Sequence, residues 1–106
     1  MRILWVLLLL APGMAFAAAQ DGREIVLHGN GNGALPCAAC HGVDGAGKAS
    51  TGAPALAGLP AASIQADLAR IAQGGGNSAL MQSIAQALSP AERAAVAAYF
   101  SGLASP

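Results

Sequence analysis

The residue pattern predicts an all-α domain of three to five short helices, and three observations carry that expectation. β-Branched residues, which favour strands, are thin and scattered beyond residue 17: Ile25, Val26, Val43, Thr51, Ile64, Ile71, Ile84 and Val96. Ile64, Leu68 and Ile71 recur at i, i+4 and i+7, the spacing of a single helix face. Ser89-Pro90-Ala91-Glu92 spells a helix start, with Ser89 as N-cap, Pro90 at the first helical position and Glu92 closing a capping box. Removing that cap costs on the order of 1 kcal/mol.

The chain of 106 residues opens with Met1-Arg2, an apolar run from Ile3 to Leu10, and then small residues. Ala15-Phe16-Ala17 and Ala17-Ala18-Ala19 both read as cleavage sites. This is the layout of a secretory signal peptide over 1–17, with cleavage after 19 as the alternative. The run is shorter than the about 20 apolar residues that a membrane span requires. Export follows, with no membrane insertion after cleavage. Residues 18–106 then form one domain, too short for two. Much of the 55% hydrophobic content belongs to the leader and to alanine, so the exported part is expected to be soluble.

Taken in order, Asp21 to His28 favours a first helix, with an acidic start and Ile25 and Val26 facing inward. Gly29-Asn30-Gly31-Asn32-Gly33 ends it, glycine being suited to the left-handed cap. Pro36 leads into Cys37-Ala38-Ala39-Cys40-His41. Gly42 to Gly52 reads as a surface loop, followed by a second loop from Ala53 to Pro60 with Leu56 and Leu59 as apolar anchors. The next helix spans Ala62 to Gln73, begins after Pro60 and is stopped by Gly74-Gly75-Gly76. A short helical stretch from Ala79 to Leu88 precedes the last helix, which runs to about Ser101 with Val96, Tyr99, Phe100 and Leu103 on its inner side.

Cys37-Ala38-Ala39-Cys40-His41 matches the attachment pattern of a c-type haem. On a helical turn, positions i, i+3 and i+4 share a face. Two thiols so placed reach the two vinyl groups on one porphyrin edge, and the imidazole swings beneath to meet the iron. Other readings of the pair are weaker. A disulfide across two intervening residues closes a tiny loop and stabilises little. A thioredoxin-like exchange site needs a βαβ setting that the chain does not offer. Structural zinc needs four ligands, which Cys37, Cys40, His41 and His28 would only just supply.

A bound haem iron offers a second axial position. Met1 and Met14 fall in the leader, which leaves Met81, 40 residues after His41 and just past a glycine-rich turn. An apolar methionine on a helix ordinarily fills core. Here the intervening loop and helix can carry the chain around the ring, and glycine permits close backbone approach. His28 is the competitor; it sits too close before the motif to reach the other face of the ring, and a solvent-facing residue at a helix C-terminus is the better account. An iron held by imidazole and thioether has both positions filled and shuttles single electrons.

The motif, the loop with Gly52, Pro54 and Leu56, the following helix, Met81 and the final Ala94-Ala95-Val96-Ala97-Ala98-Tyr99-Phe100 occur in an order that resembles class I c-type cytochromes. The likeness is to the small bacterial periplasmic monohaem kind and covers nearly all of residues 18–106. It implies a fold in which short helices wrap one covalently attached haem, the first and last helices crossing near it. It implies His41 as proximal and Met81 as distal ligand, with the carbonyl of Pro54 accepting the other N–H of the imidazole. Three glycines stand before Met81 and Gln82-Ser83 after it, where relatives often carry bulkier residues and a proline, so a looser methionine loop is expected.

The function expected is electron transfer between donor and acceptor proteins, not enzymatic catalysis. A five-coordinate gas-binding or peroxidase-like haem protein, with Met81 only in the core, is the alternative. A cytochrome subunit of a dehydrogenase or oxidase complex is another. Beyond residue 17, Arg23, Lys48, Arg70 and Arg93 face Asp21, Glu24, Asp44, Asp67 and Glu92, a net charge of −1. That excludes a basic footprint for nucleic acid and a polybasic patch for a membrane surface. Because large apolar side chains are scarce, the haem plane must supply much of the core. A Cys37→Ser/Cys40→Ser chain is therefore expected to lose cooperative thermal melting; a well-structured apoprotein would contradict this.

Overall fold

The computed structural model describes residues 21–106, and the expected signal peptide lies outside them. Helix α1 (residues 21–28) is followed by α2 (Ala38–His41), α3 (Ala61–Ala72), α4 (Ala79–Ala87) and α5 (Pro90–Ser101). Among the described residues there is no strand, only an isolated bridge between Lys48 and Ala53. The all-α expectation holds, and no described helix is long and apolar enough to cross a membrane.

Each helix end has a local cause. The Gly29 amide returns to the Ile25 carbonyl at 2.8 Å, with Gly29 at φ +77°, so the glycine ends α1 in the left-handed region. Asn30 then folds the following loop on itself, its Oδ1 accepting from the amides of Asn32 at 2.9 Å and Ala34 at 3.1 Å. Pro60 stands at the N-cap of α3, and its carbonyl accepts from Ser63 and Ile64. Ser89 Oγ accepts from the Glu92 amide at 3.1 Å and Glu92 Oε1 from the Ser89 amide at 2.9 Å, which completes the expected capping box. That amide, assisted by Asn30 and the Ser89 hydroxyl, holds the Glu92 carboxyl below its ordinary range. The cap contributes above that range and is lost as acid titrates the carboxylate.

The helices pack through small contacts. Val26 and Phe100 are the largest fully buried side chains, joined by Ile25, Ile64, Leu68, Ile84, Leu88 and Val96. α3 lies against both α4 and α5. α1 and α5 cross so closely at Gly22 that a Cβ there would collide with the Ala95 carbonyl. Glycine facing alanine permits that approach, as the resemblance to class I cytochromes implied. Gly22→Ala is expected to cost about 1–3 kcal/mol by overpacking, read as a lower melting temperature of the loaded protein.

Candidate haem site

α2 is one turn, and the attachment motif forms it. The His41 amide bonds to the Cys37 carbonyl at 2.9 Å and the Cys40 amide to the same oxygen at 3.2 Å, which gathers Cys37, Cys40 and His41 on one face. The imidazole of His41 is only 6% exposed. Its Nδ1 lies 2.9 Å from the carbonyl oxygen of Pro54. A carbonyl can only accept, so Nδ1 carries the proton and Nε2 keeps a free lone pair. That is the tautomer a metal ligand needs, oriented by a backbone oxygen in the way such ligands usually are.

The loop after α2 exists to put Pro54 there. The Lys48 amide bonds to the Ala53 carbonyl at 3.1 Å, the Leu56 amide to the Gly45 carbonyl at 2.8 Å, and Thr51 Oγ1 to the Cys40 carbonyl at 2.8 Å. Gly47, at φ +81°, lets the strand of chain carrying Pro54 run directly over it: a Cβ would sit 2.7 Å from the Ala53 oxygen and 2.9 Å from the Pro54 carbonyl carbon. Gly45 does the same against the ring of Phe100, at 2.9 Å. The stretch read from sequence as a plain surface loop is thus held by tertiary contacts, and its glycines answer to backbone crowding.

Cys37, Cys40, His41, Pro54 and Met81 all line one cavity of about 730 Å³, within the roughly 300–1,000 Å³ of small-molecule and cofactor sites. Its walls are mostly apolar, with Leu56, Leu68, Ile71 and Phe100 among them. The helical stripe Ile64, Leu68 and Ile71 faces this cavity, so core and site coincide. Burial pushes the Cys37 thiol up to about 11, partly offset by a hydrogen bond to its own backbone. Such surroundings suit a neutral thioether sulfur and disfavour the thiolate that exchange chemistry or zinc requires. His28 stays exposed, 3.8 Å from Glu24 Oε2, and does not line the cavity. Among the described residues no three of His, Cys, Asp and Glu gather as a metal site.

Met81 stands in the first turn of α4, half-buried. Ser78 caps that helix, its Oγ accepting from the Met81 amide at 3.1 Å. Sequence reading missed this cap, although a serine just before a helical stretch was the signal for it. The glycine loop ahead of it is braced by Arg70, whose guanidinium donates to the Gly75 carbonyl while its own carbonyl accepts the Gly75 amide at 2.9 Å. That grip was not legible in the glycine run.

A family model described as cytochrome c matches residues 20–104. The chain belongs to the cytochrome c family. Its cofactor is accordingly a covalently bound haem c, and the residues present fit it: two cysteines on one turn, an imidazole with a free Nε2 and an apolar cavity beside them. The thiosulfate dehydrogenase electron acceptor of Stutzerimonas stutzeri strain A1501 is 41% identical over 91 residues, covering 85% of this chain and 42% of that protein. Cytochrome c-554(548) of Halomonas halodenitrificans is 43% identical over 68 residues, 61% of this chain and 81% of the relative. The crystal structure of reduced recombinant cytochrome c4 from Pseudomonas stutzeri superposes with a TM-score of 0.77 at 29% identity, over 83% of this chain and 49% of that one. This cytochrome c thus spans less than half the length of the thiosulfate dehydrogenase electron acceptor that it matches.

Gly47→Ala is expected to displace the Pro54 carbonyl and to destabilise the loaded protein by about 1–3 kcal/mol. Thermal melting and the His41 ring proton signals check both effects.

Proposed function

We propose that this cytochrome c carries single electrons between redox proteins in the periplasm, on a haem c held by Cys37 and Cys40 with His41 and Met81 as axial ligands. The observation that carries the reading is the buried imidazole whose Nδ1 is committed to Pro54, beside a cavity that Met81 also lines. When bound, haem c supplies a reversible one-electron iron couple. The chain does the rest. The two cysteines tether, Pro54 keeps the His41 lone pair pointed into the cavity, and Met81 offers a thioether, which raises the potential relative to a second imidazole. The mostly apolar lining would surround a bound haem with side chains of low polarity.

Residues 18–106 would be the exported part. The identity to a thiosulfate dehydrogenase electron acceptor supports a dehydrogenase as electron donor, and the near-neutral charge of this chain favours docking through a weakly charged surface.

Met81→Ala tests the reading. The loaded wild type is expected to show a methionine–ferric charge-transfer band and a ferrous spectrum indifferent to carbon monoxide. The variant is expected to lose the band, bind carbon monoxide and fall in potential. Rapid carbon monoxide binding by the wild type would instead mark a five-coordinate haem protein. Stopped-flow mixing with a reduced thiosulfate dehydrogenase checks the donor.

A further inference from the structure

Met81 rides on a helix that packing alone holds weakly. α4 has nine residues, of which only Ile84 and Ala85 are buried, and isolated helices shorter than about 12 residues are marginal in water. Its last carbonyls are orphan acceptors that need partners. They find them in side chains outside the helix, one eight positions away and one fifty-seven. Arg93, on α5, donates to the Ala85 carbonyl through both Nε at 3.1 Å and Nη2 at 2.9 Å. Asn30, in the loop after α1, donates through Nδ2 to the Ala87 carbonyl at 2.8 Å. The same Nδ2 lies 3.2 Å from Glu92 Oε1, which ties this clasp to the capping box of α5. Otherwise the Ala85 oxygen has only a long 3.3 Å bond from the Leu88 amide.

We propose that Arg93 is a positioning residue for Met81. Ala85 lies four residues beyond Met81, on the same helix face and one turn along. A guanidinium held there by two bonds fixes the height and rotation of the turn that presents the thioether. The interaction is charge-assisted, and a cation at a helix C-terminus is favoured by the helix dipole. α5 also reaches the other candidate ligand. Two turns after Arg93, Phe100 packs under Gly45 and its carbonyl accepts from the Gly58 amide at 2.9 Å, bracing the loop that supplies Pro54 to His41. One rod therefore touches the supports of both ligands, and Arg93 is its grip on the methionine side. The assignment rests on Met81 being the ligand, as proposed above.

The test uses haem-loaded Arg93→Gln and Arg93→Lys, with Ile25→Val as a control destabilised in the core on α1, away from the cavity lining. Below its melting temperature, Arg93→Gln is expected to weaken the methionine–ferric band, lower the potential and bind imidazole at least tenfold more tightly than wild type. Arg93→Lys, which keeps the charge and loses the fork, should fall between the two. Ile25→Val should melt lower with wild-type band and imidazole affinity. If Arg93→Gln melts lower yet matches Ile25→Val in spectrum and imidazole titration, its role is structural only and the proposal fails. If Arg93→Gln does not accumulate as loaded protein, Arg93→Lys replaces it: raised imidazole affinity supports the proposal, and wild-type affinity overturns it. Met81→Ala separates the two levels. A band that survives in Met81→Ala overturns the ligand reading itself, whereas a band lost there and intact in Arg93→Gln overturns the positioning role alone.

Discussion

The hydrogen bond from His41 Nδ1 to the Pro54 carbonyl is the constraint to which the rest of the molecule answers. It fixes the tautomer of a buried ring and therefore the nitrogen available to a metal. Everything between the two residues serves that bond: the bridge at Lys48 and Ala53, the Gly45 contacts and the close pass over Gly47. α5 backs the arrangement through Phe100, one of the two largest fully buried side chains. A small domain rich in alanine has few large side chains with which to hold such a loop. Backbone bonds and close glycine approaches take their place, and the flat cofactor that the family carries completes the core.

The two sides of the cavity are built by different means. Around His41 the supports are mostly backbone amides and carbonyls of one continuous loop, joined by the Thr51 hydroxyl and by Phe100 of α5. Around Met81 they are side chains, from Ser78 next to it, Arg70 on α3, Arg93 on α5 and Asn30 beyond α1. A short helix with two buried residues suits the second kind of support, because polar caps answer the orphan groups at its ends. The glycines ahead of Met81 pointed toward a loose segment; the bonds from Arg70 to both sides of Gly75 show how such a segment is tied.

How much was legible depended on distance along the chain. The capping box at Ser89, the glycine stop at Gly29 and the turn carrying Cys37, Cys40 and His41 are local, so residue spacing alone revealed them. Helix boundaries fell within a residue or so of those expected. The Pro54 contact was reached through family likeness, since nothing in the spacing marks one proline carbonyl over another. The Asn30 and Arg93 clasps were invisible: Asn30 read as part of a glycine-rich terminator, and its bond to the Ala87 carbonyl spans 57 positions. Gly47 and Gly22 looked like a loop residue and a helix residue, and only the neighbours brought against them show why no side chain fits.

The half-buried setting of the two cysteines bears on how a flat ring is gripped. Both sulfurs line the cavity from a single turn, while their neighbour His41 is almost wholly covered. One turn of helix therefore decides which edge of the ring is held, and the remaining walls are left to meet the rest of it.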